Sequence, residues 1–344
     1  MKKQLIAAAV AASMSAVAMA DVSITGNANY EYFHKTDGGS AGDVTSNYGD
    51  TEVNLSIVGK TGDTSVVANL EFTGGSALDS SSLSVNRDGD GEVSGLDVED
   101  LYITTKVGDV SIKAGDYASG TTALGGEIDN GSRSFNKVTL STQVGPATVS
   151  YATASASAED ATFDNDGSSV SVSVPVAGMT LQVKDESDSY TIVGLKGESN
   201  GVNFRIENKD SDTANSDVLF YEIGTKLGDL DVSIAGLDAD AHSLIKEDDS
   251  AIFAQEATGA YVDGVQQITI GTSIDGTALK LRAGSLKGIA TKQDADFMRV
   301  EASRTLASGA TLTVSYDDYD DKGVATSGTM YDTQLVEIDL AVKF

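Results

Sequence analysis

Apolar and polar side chains alternate along most of the chain. Val22, Ile24, Ala28 and Tyr30 share one parity, with Ser23, Thr25, Asn27 and Asn29 on the other. Val53, Leu55 and Ile57 alternate with Glu52, Asn54 and Ser56, and Val66, Ala68, Leu70 and Phe72 with Asn69 and Glu71. The same beat returns at Leu101, Ile103 and Val107, at Val202, Phe204 and Ile206, at Leu279, Leu281 and Ala283, and at Leu312, Val314 and Tyr316. Successive strand side chains point to opposite faces, so each segment predicts a strand with one apolar and one polar face.

Two architectures carry this pattern. A soluble sandwich buries the apolar faces against a second sheet. A transmembrane barrel turns them to lipid and leaves the polar faces around water. Three features favour the barrel. Many segments run about 9–11 residues, enough to cross a bilayer when tilted. Short turns alternate with long polar connections. The short ones are Thr61-Gly62-Asp63, Gly108-Asp109, Gly145-Pro146, Ala177-Gly178, Asn200-Gly201, Gly228-Asp229, Asp275-Gly276 and Ser308-Gly309. The clearest long ones are 33–50, 75–96, 117–132, 238–264 and 319–332. This asymmetry is that of outer-membrane barrels. Finally, Val336, Ile338, Leu340, Val342 and Phe344 form an apolar face that ends the chain on an aromatic ring. A strand of this kind resembles the C-terminal signature of bacterial outer-membrane barrels.

Counting by turns predicts eighteen strands. The stretch 167–209 is the doubtful hairpin, because its outer connection near 185–189 is very short, and without it the count is sixteen. Either number leaves room for an aqueous channel, whereas eight strands would be filled by side chains.

The N-terminus sets the compartment. Lys2 and Lys3 precede an apolar stretch from Leu5 to Val17, and Ala18-Met19-Ala20 fits the signal-peptidase rule. Residues 1–20 are expected to be a cleaved export signal and residues 21–344 a single barrel domain. No later window is apolar enough for a helical span.

Composition narrows the chemistry. The chain holds 344 residues, with 52 acidic and 23 basic side chains and a formal charge of −29. That balance argues against nucleic-acid binding, which needs clustered Lys and Arg. There is no Cys, so no disulfide, thiolate metal site or cysteine nucleophile, and the two His residues exclude a three-histidine zinc site. His34 and His242 fall in outer connections without a G-x-S-x-G elbow, so a hydrolase is not expected.

Residues 98–153 run as a strand, a Gly-Asp turn, a strand ending Ala-Gly-Asp, a long connection, a strand, a Gly-Pro turn and a strand through Tyr151. This stretch, with both chain ends, resembles the Gram-negative general diffusion porin family. The resemblance implies sixteen strands, a homotrimer, and a third outer loop folded into the barrel to narrow it. Here that loop is 117–131, following Asp116 and holding Glu127 and Asp129; in place of the usual Pro-Glu-Phe-Gly-Gly run it has Ala123-Leu124-Gly125-Gly126-Glu127. The expected function is passive diffusion of ions and small hydrophilic solutes across the outer membrane, with no reaction and no obligatory cofactor. Its surroundings would be lipid and lipopolysaccharide.

Strand parity names the pore lining. Basic candidates are Lys106, Lys113, Arg133, Lys137, Arg205, Lys280, Arg282 and Arg299; acidic ones include Glu52, Glu71, Glu207 and Glu301. Glu127 and Asp129 set against Lys106, Lys113, Arg133 and Lys137 would put a transverse field across the constriction. Acidic outer connections such as Lys246-Glu247-Asp248-Asp249 lean the channel weakly towards cations. Two other readings remain open: a substrate-selective channel, which would want aromatics along the pore and has only 6% aromatic residues to draw on, and a surface adhesin or anchor barrel.

Residues 86–97 also carry oxygen ligands at calcium-loop spacing. Asn86, Asp88, Asp90, Glu92 (through position 7 and the backbone) and Asp97 surround Gly91 at the turn position. Asn at position 1 and Asp at position 12 both weaken the site, so millimolar calcium binding is the expectation.

Overall fold

The computed structural model describes residues 21–38, 44–74, 84–86, 95–118, 133–154, 167–187, 189–212, 217–244, 261–289, 293–321 and 333–344. Its strands are β1 (Asp21–Asp37), β2 (Val44–Thr61), β3 (Thr64–Gly74), β4 (Ser84–Asn86), β5 (Gly95–Val107), β6 (Val110–Ala118), β7 (Arg133–Val144), β8 (Ala147–Ala154), β9 (Gly167–Val176) and β10 (Met179–Glu186). They continue as β11 (Tyr190–Ser199), β12 (Val202–Ser211), β13 (Val218–Leu227), β14 (Leu230–Leu244), β15 (Tyr261–Ile274), β16 (Thr277–Ile289), β17 (Gln293–Thr305), β18 (Thr311–Asp321) and β19 (Thr333–Lys343).

All but β4 form one antiparallel ring of 18 strands. Each pairs with the strand before and after it, and β1 closes the ring against β19 from Asn27↔Lys343 to Asp37↔Thr333. With strands about 4.8 Å apart and tilted by about 40°, such a ring is about 35 Å across between backbones. The count follows the turns and departs from the sixteen that the family resemblance implied. The doubtful hairpin is real. Met179–Glu186 pairs fully with both β9 and β11, and its tight outer connection is closed by Ser189 N–H donating to Glu186 O at 3.1 Å and Ser187 N–H to Ser168 O at 2.9 Å.

The short turns fall where the sequence put them. Ala177-Gly178, Asn200-Gly201 and Asp275-Gly276 have positive φ at both residues, the backbone of two-residue hairpins whose twist matches the flanking strands. Gly62, Gly108, Gly145, Gly228 and Gly309 supply the positive φ at the others.

Parity separates the two faces. Val22, Ile24, Leu101, Ile103, Ile223 and Ile234 are exposed on the outer face, as a lipid-facing wall requires. On the inner face lie Glu52, Glu71, Lys137, Lys184, Glu207, Gln267, Arg282 and Asp317, most of them buried. The buried apolar cluster also lies inside: Ile192, Phe220, Leu237, Val265, Leu286 and Phe297 share the parity of the inward polar residues on β11 and β13–β17.

The last residue completes the closure. Gly26 and Phe344 exchange two backbone hydrogen bonds of 2.9 Å, and the Phe344 ring lies over Gly26. A side chain at Gly26 would meet that ring at 2.9 Å, so glycine is what lets the ring settle there.

Candidate functional site

The inner wall carries its charges in two arcs. The first runs over β5–β12 and is rich in lysine, with Asp100, Glu186 and Glu207 set among the cations. Lys113 of β6 stands between two tyrosine rings, its Nζ 3.8 Å from the Tyr102 centroid and 3.9 Å from that of Tyr117. The rings meet edge to face, 5.6 Å apart. The Tyr117 hydroxyl shares a 2.7 Å hydrogen bond with Thr139 Oγ1, and Lys137 Nζ lies 5.2 Å from the same ring.

Local backbone makes this cage. Gly115 sits between Lys113 and Tyr117 on the same face, with φ of 139°, and a Cβ there would come within 2.7 Å of the Tyr102 backbone. The missing side chain leaves room for the rings to lean over the ammonium. The β6–β7 register then slips between Gly115 and Tyr117, a bulge that aims Tyr117 inward. An ammonium over an aromatic face is held by the ring quadrupole and keeps outward N–H donors for a passing anion.

A second group continues the arc on β10–β12. Lys184 Nζ donates to the Tyr190 hydroxyl at 2.8 Å, that hydroxyl donates to Glu186 Oε2 at 2.8 Å, and Lys184 lies 2.8 Å from the same carboxylate. Lys209 Nζ stands 4.4 Å from the Tyr190 centroid. Arg205 lies over Phe220 at 4.6 Å and pairs with Glu222 at 3.5 Å.

The second arc runs over β17–β19 and on through β1–β3, and is acidic. Glu31 stands opposite Asp339 across the closing pair, and Phe33 opposite Glu337. Glu52 holds Asn54, and Asn69 donates to Asp100 at 2.8 Å. Arg299 collects the carboxylates at one end: Asp317 at 3.2 Å, Glu337 at 3.1 Å and Glu301 at 3.7 Å, with Lys280 3.5 Å from Glu301. β1 and β11 stand half-way round the 18-strand ring from each other, so the acidic and lysine-rich arcs face across the lumen. Below them, towards the short turns, a cavity of about 1370 Å³ is lined by Lys196, Arg205, Glu222, Lys280 and Glu301 together with Phe204, Val232 and Leu279.

The sequence candidates distribute as follows. Lys113, Lys137, Arg205, Lys280, Arg282 and Arg299 have inward parity. Lys106 is also inward, but it lies exposed beside the Gly108-Asp109 turn, at the mouth of the barrel. Asp116 stands opposite Leu101, which faces outward. Arg133 stands opposite Ala118 in β7. Glu127 and Asp129, with the inward loop itself, lie outside the described residues, as do the export signal and Asp88, Asp90 and Glu92. Asn86 and Asp97, first and last of the candidate calcium loop, are neighbours in the parallel β4–β5 pairing. Among the described residues no cluster of three acidic or histidine side chains is placed to hold a metal ion.

Lys184, Lys209 and the tyrosines 102, 117 and 190 were not among the sequence candidates. The lysines had the signal, since Lys184 alternates with Leu181 and Val183. The doubtful hairpin hid their parity.

No protein-family model matches the chain, and neither does any curated protein. Solved structures do resemble it. OpdQ of Pseudomonas aeruginosa superposes with a TM-score of 0.66 at 10% identity, over 95% of this chain and 99% of that one. OccAB3 of Acinetobacter baumannii gives 0.60 at 10% identity, over 93% and 99%. OpdK of Pseudomonas aeruginosa, solved with vanillate, gives 0.59 at 10% identity, over 93% and 98%. At such identities the likeness is one of fold, a closed antiparallel barrel of 18 strands.

Proposed function

We propose that this chain is an outer-membrane channel that passes small polar solutes by passive diffusion and favours those carrying a carboxylate. The lysine and tyrosine arc carries this reading. Lys113 is presented on two tyrosine faces, with Lys137, Lys184 and Lys209 following along the same wall. A carboxylated solute would move from one ammonium to the next, while an attached ring slides over tyrosine faces. The facing carboxylates give cations their own lane, and the acidic outer connections keep the weak cation preference for small ions. The resemblance of the fold to OpdK, solved with vanillate, supports a selective channel over an unselective one. The outer membrane as location, a homotrimeric state and contact with lipopolysaccharide belong to the same proposal.

The test is single-channel conductance of the purified barrel in a planar bilayer. Vanillate or benzoate added at millimolar concentration is expected to interrupt the potassium chloride current, while a neutral sugar of similar size leaves it unchanged. Equal effects of both would leave only an unselective pore.

Calcium is proposed for the 86–97 loop, supported by the Asn86↔Asp97 pairing, since the first and last ligands of such a loop must meet at one ion. Calorimetry should detect binding with Kd of about a millimolar. The absence of calcium-dependent heat from folded protein at ten times that concentration would remove the site.

A further inference from the structure

The lysines of the inner wall are not equally open to a solute. Lys113 rests on two tyrosine faces, and among the described residues no carboxylate is hydrogen-bonded to it. Lys184 already holds one. Its Nζ lies 2.8 Å from Glu186 Oε2 and donates to the Tyr190 hydroxyl at 2.8 Å, and that hydroxyl donates to the same carboxylate oxygen. The Lys184 side chain is only 8% exposed, against 27% for Glu186. A passing carboxylate therefore meets Glu186 before it meets the ammonium.

We propose that Glu186 is a resident carboxylate that competes with the solute for Lys184 and so sets how long the solute stays. The inference rests on the carboxylate reading of the channel. Its first support is chemical. Glu186 offers Lys184 the same group that the solute would bring, at the length of a charge-assisted hydrogen bond. Its second is room to leave. Glu186 Oε1 lies over Gly167 of β9, 3.8 Å from where a Cβ would stand. The missing side chain gives the carboxylate space to swing off Lys184, and Lys137, two strands further on, attracts it from that side. The third is the approach. Lys113, Thr139, Ala152, Ser169 and Glu186 stand in one row from β6 to β10. The three side chains between the tyrosine cage and the carboxylate are short and uncharged, so a solute leaving Lys113 along this row arrives at Glu186.

Competition of this kind suits transport. A channel must bind its solute well enough to admit it and loosely enough to release it. While Glu186 occupies Lys184, the solute's apparent affinity falls with the fraction of ammonium left accessible. The returning carboxylate then helps to expel what has bound.

Glu186→Gln keeps the shape of the side chain and removes its charge. Folding is checked by the compact electrophoretic mobility that barrels lose on boiling. In a planar bilayer, benzoate is expected to half-block the variant at a concentration about fivefold lower than the parent, with longer interruptions, as loss of a competing pair worth about 1 kcal/mol implies. Asp185→Asn is the control. It makes the same change of charge, but Asp185 stands opposite the outward Val170 and bonds Thr191, so blocking should not change. In a Lys184→Met background the gain from Glu186→Gln should disappear. A half-blocking concentration that is unchanged or higher in Glu186→Gln overturns the inference, and so does an equal gain without Lys184. Interruption of parent and variant alike overturns the inference only, whereas no interruption of either overturns the carboxylate reading and this inference with it.

Discussion

Lys113→Glu is expected to raise the cation-to-anion permeability ratio about tenfold and to abolish interruption of the current by aromatic carboxylates. A unit charge about 8 Å from a passing ion, at an effective dielectric between surface and bulk, is worth about 1 kcal/mol. Reversal changes two units, and salt screening reduces the result to about tenfold. The ammonium also leaves its place 3.8 Å and 3.9 Å from two tyrosine rings, and a carboxylate over those faces is repelled. Lys106→Glu provides the comparison. Its exposed position beside the Gly108-Asp109 turn predicts a several-fold smaller shift. The readout is the reversal potential in a potassium chloride gradient. Equal shifts from the two variants would show that the cage has no special place on the solute path.

Arg299→Ala is expected to weaken the fold by about 3–5 kcal/mol, the usual cost of removing one partner from a buried ionic cluster. Arg299 and Asp317 have side chains only 7% and 1% exposed, and the guanidinium holds Asp317, Glu337 and Glu301 together. Its loss leaves the like charges of Glu301, Asp317 and Glu337 side by side on β17–β19 without the guanidinium that joins them. Arg299→Lys should fall between parent and alanine variant, because an ammonium cannot present a fork to several carboxylates. Urea unfolding in detergent micelles measures this. A midpoint lowered by about 1 M or more is expected for the alanine variant. A midpoint within about 0.3 M of the parent would mean that the carboxylates find other partners.

Much of this fold was legible because its rules are local. The short turns depend on one or two residues each, and Gly or Asn at positive φ is visible in sequence. Inward parity follows once a strand's phase is known, so Glu52, Arg205 and Arg299 could be placed without coordinates. The failures have physical causes. At 187–189 a tight connection stood where long ones were the rule, which left the β10 phase open and hid Lys184. Phe220, Leu237 and Phe297 blurred the alternation, since a wall that is apolar inside and outside has no period to read. The low aromatic content suggested that nothing could guide a solute. Composition cannot show that Tyr102 and Tyr117 meet around one lysine, because their meeting depends on a missing side chain at Gly115 and a slipped register.

The bonds between Gly26 and Phe344 have a consequence for biogenesis. Other neighbours in the ring are joined by intervening chain, but β1 and β19 meet from opposite ends of the polypeptide. Until β19 is in place, β1 therefore presents a row of unpaired N–H and C=O groups on that side, and such an edge is a template for aggregation. The same arrangement distinguishes finished chains from truncated ones. A product cut short of its last strand has nothing to lay against the first, and its barrel stays open.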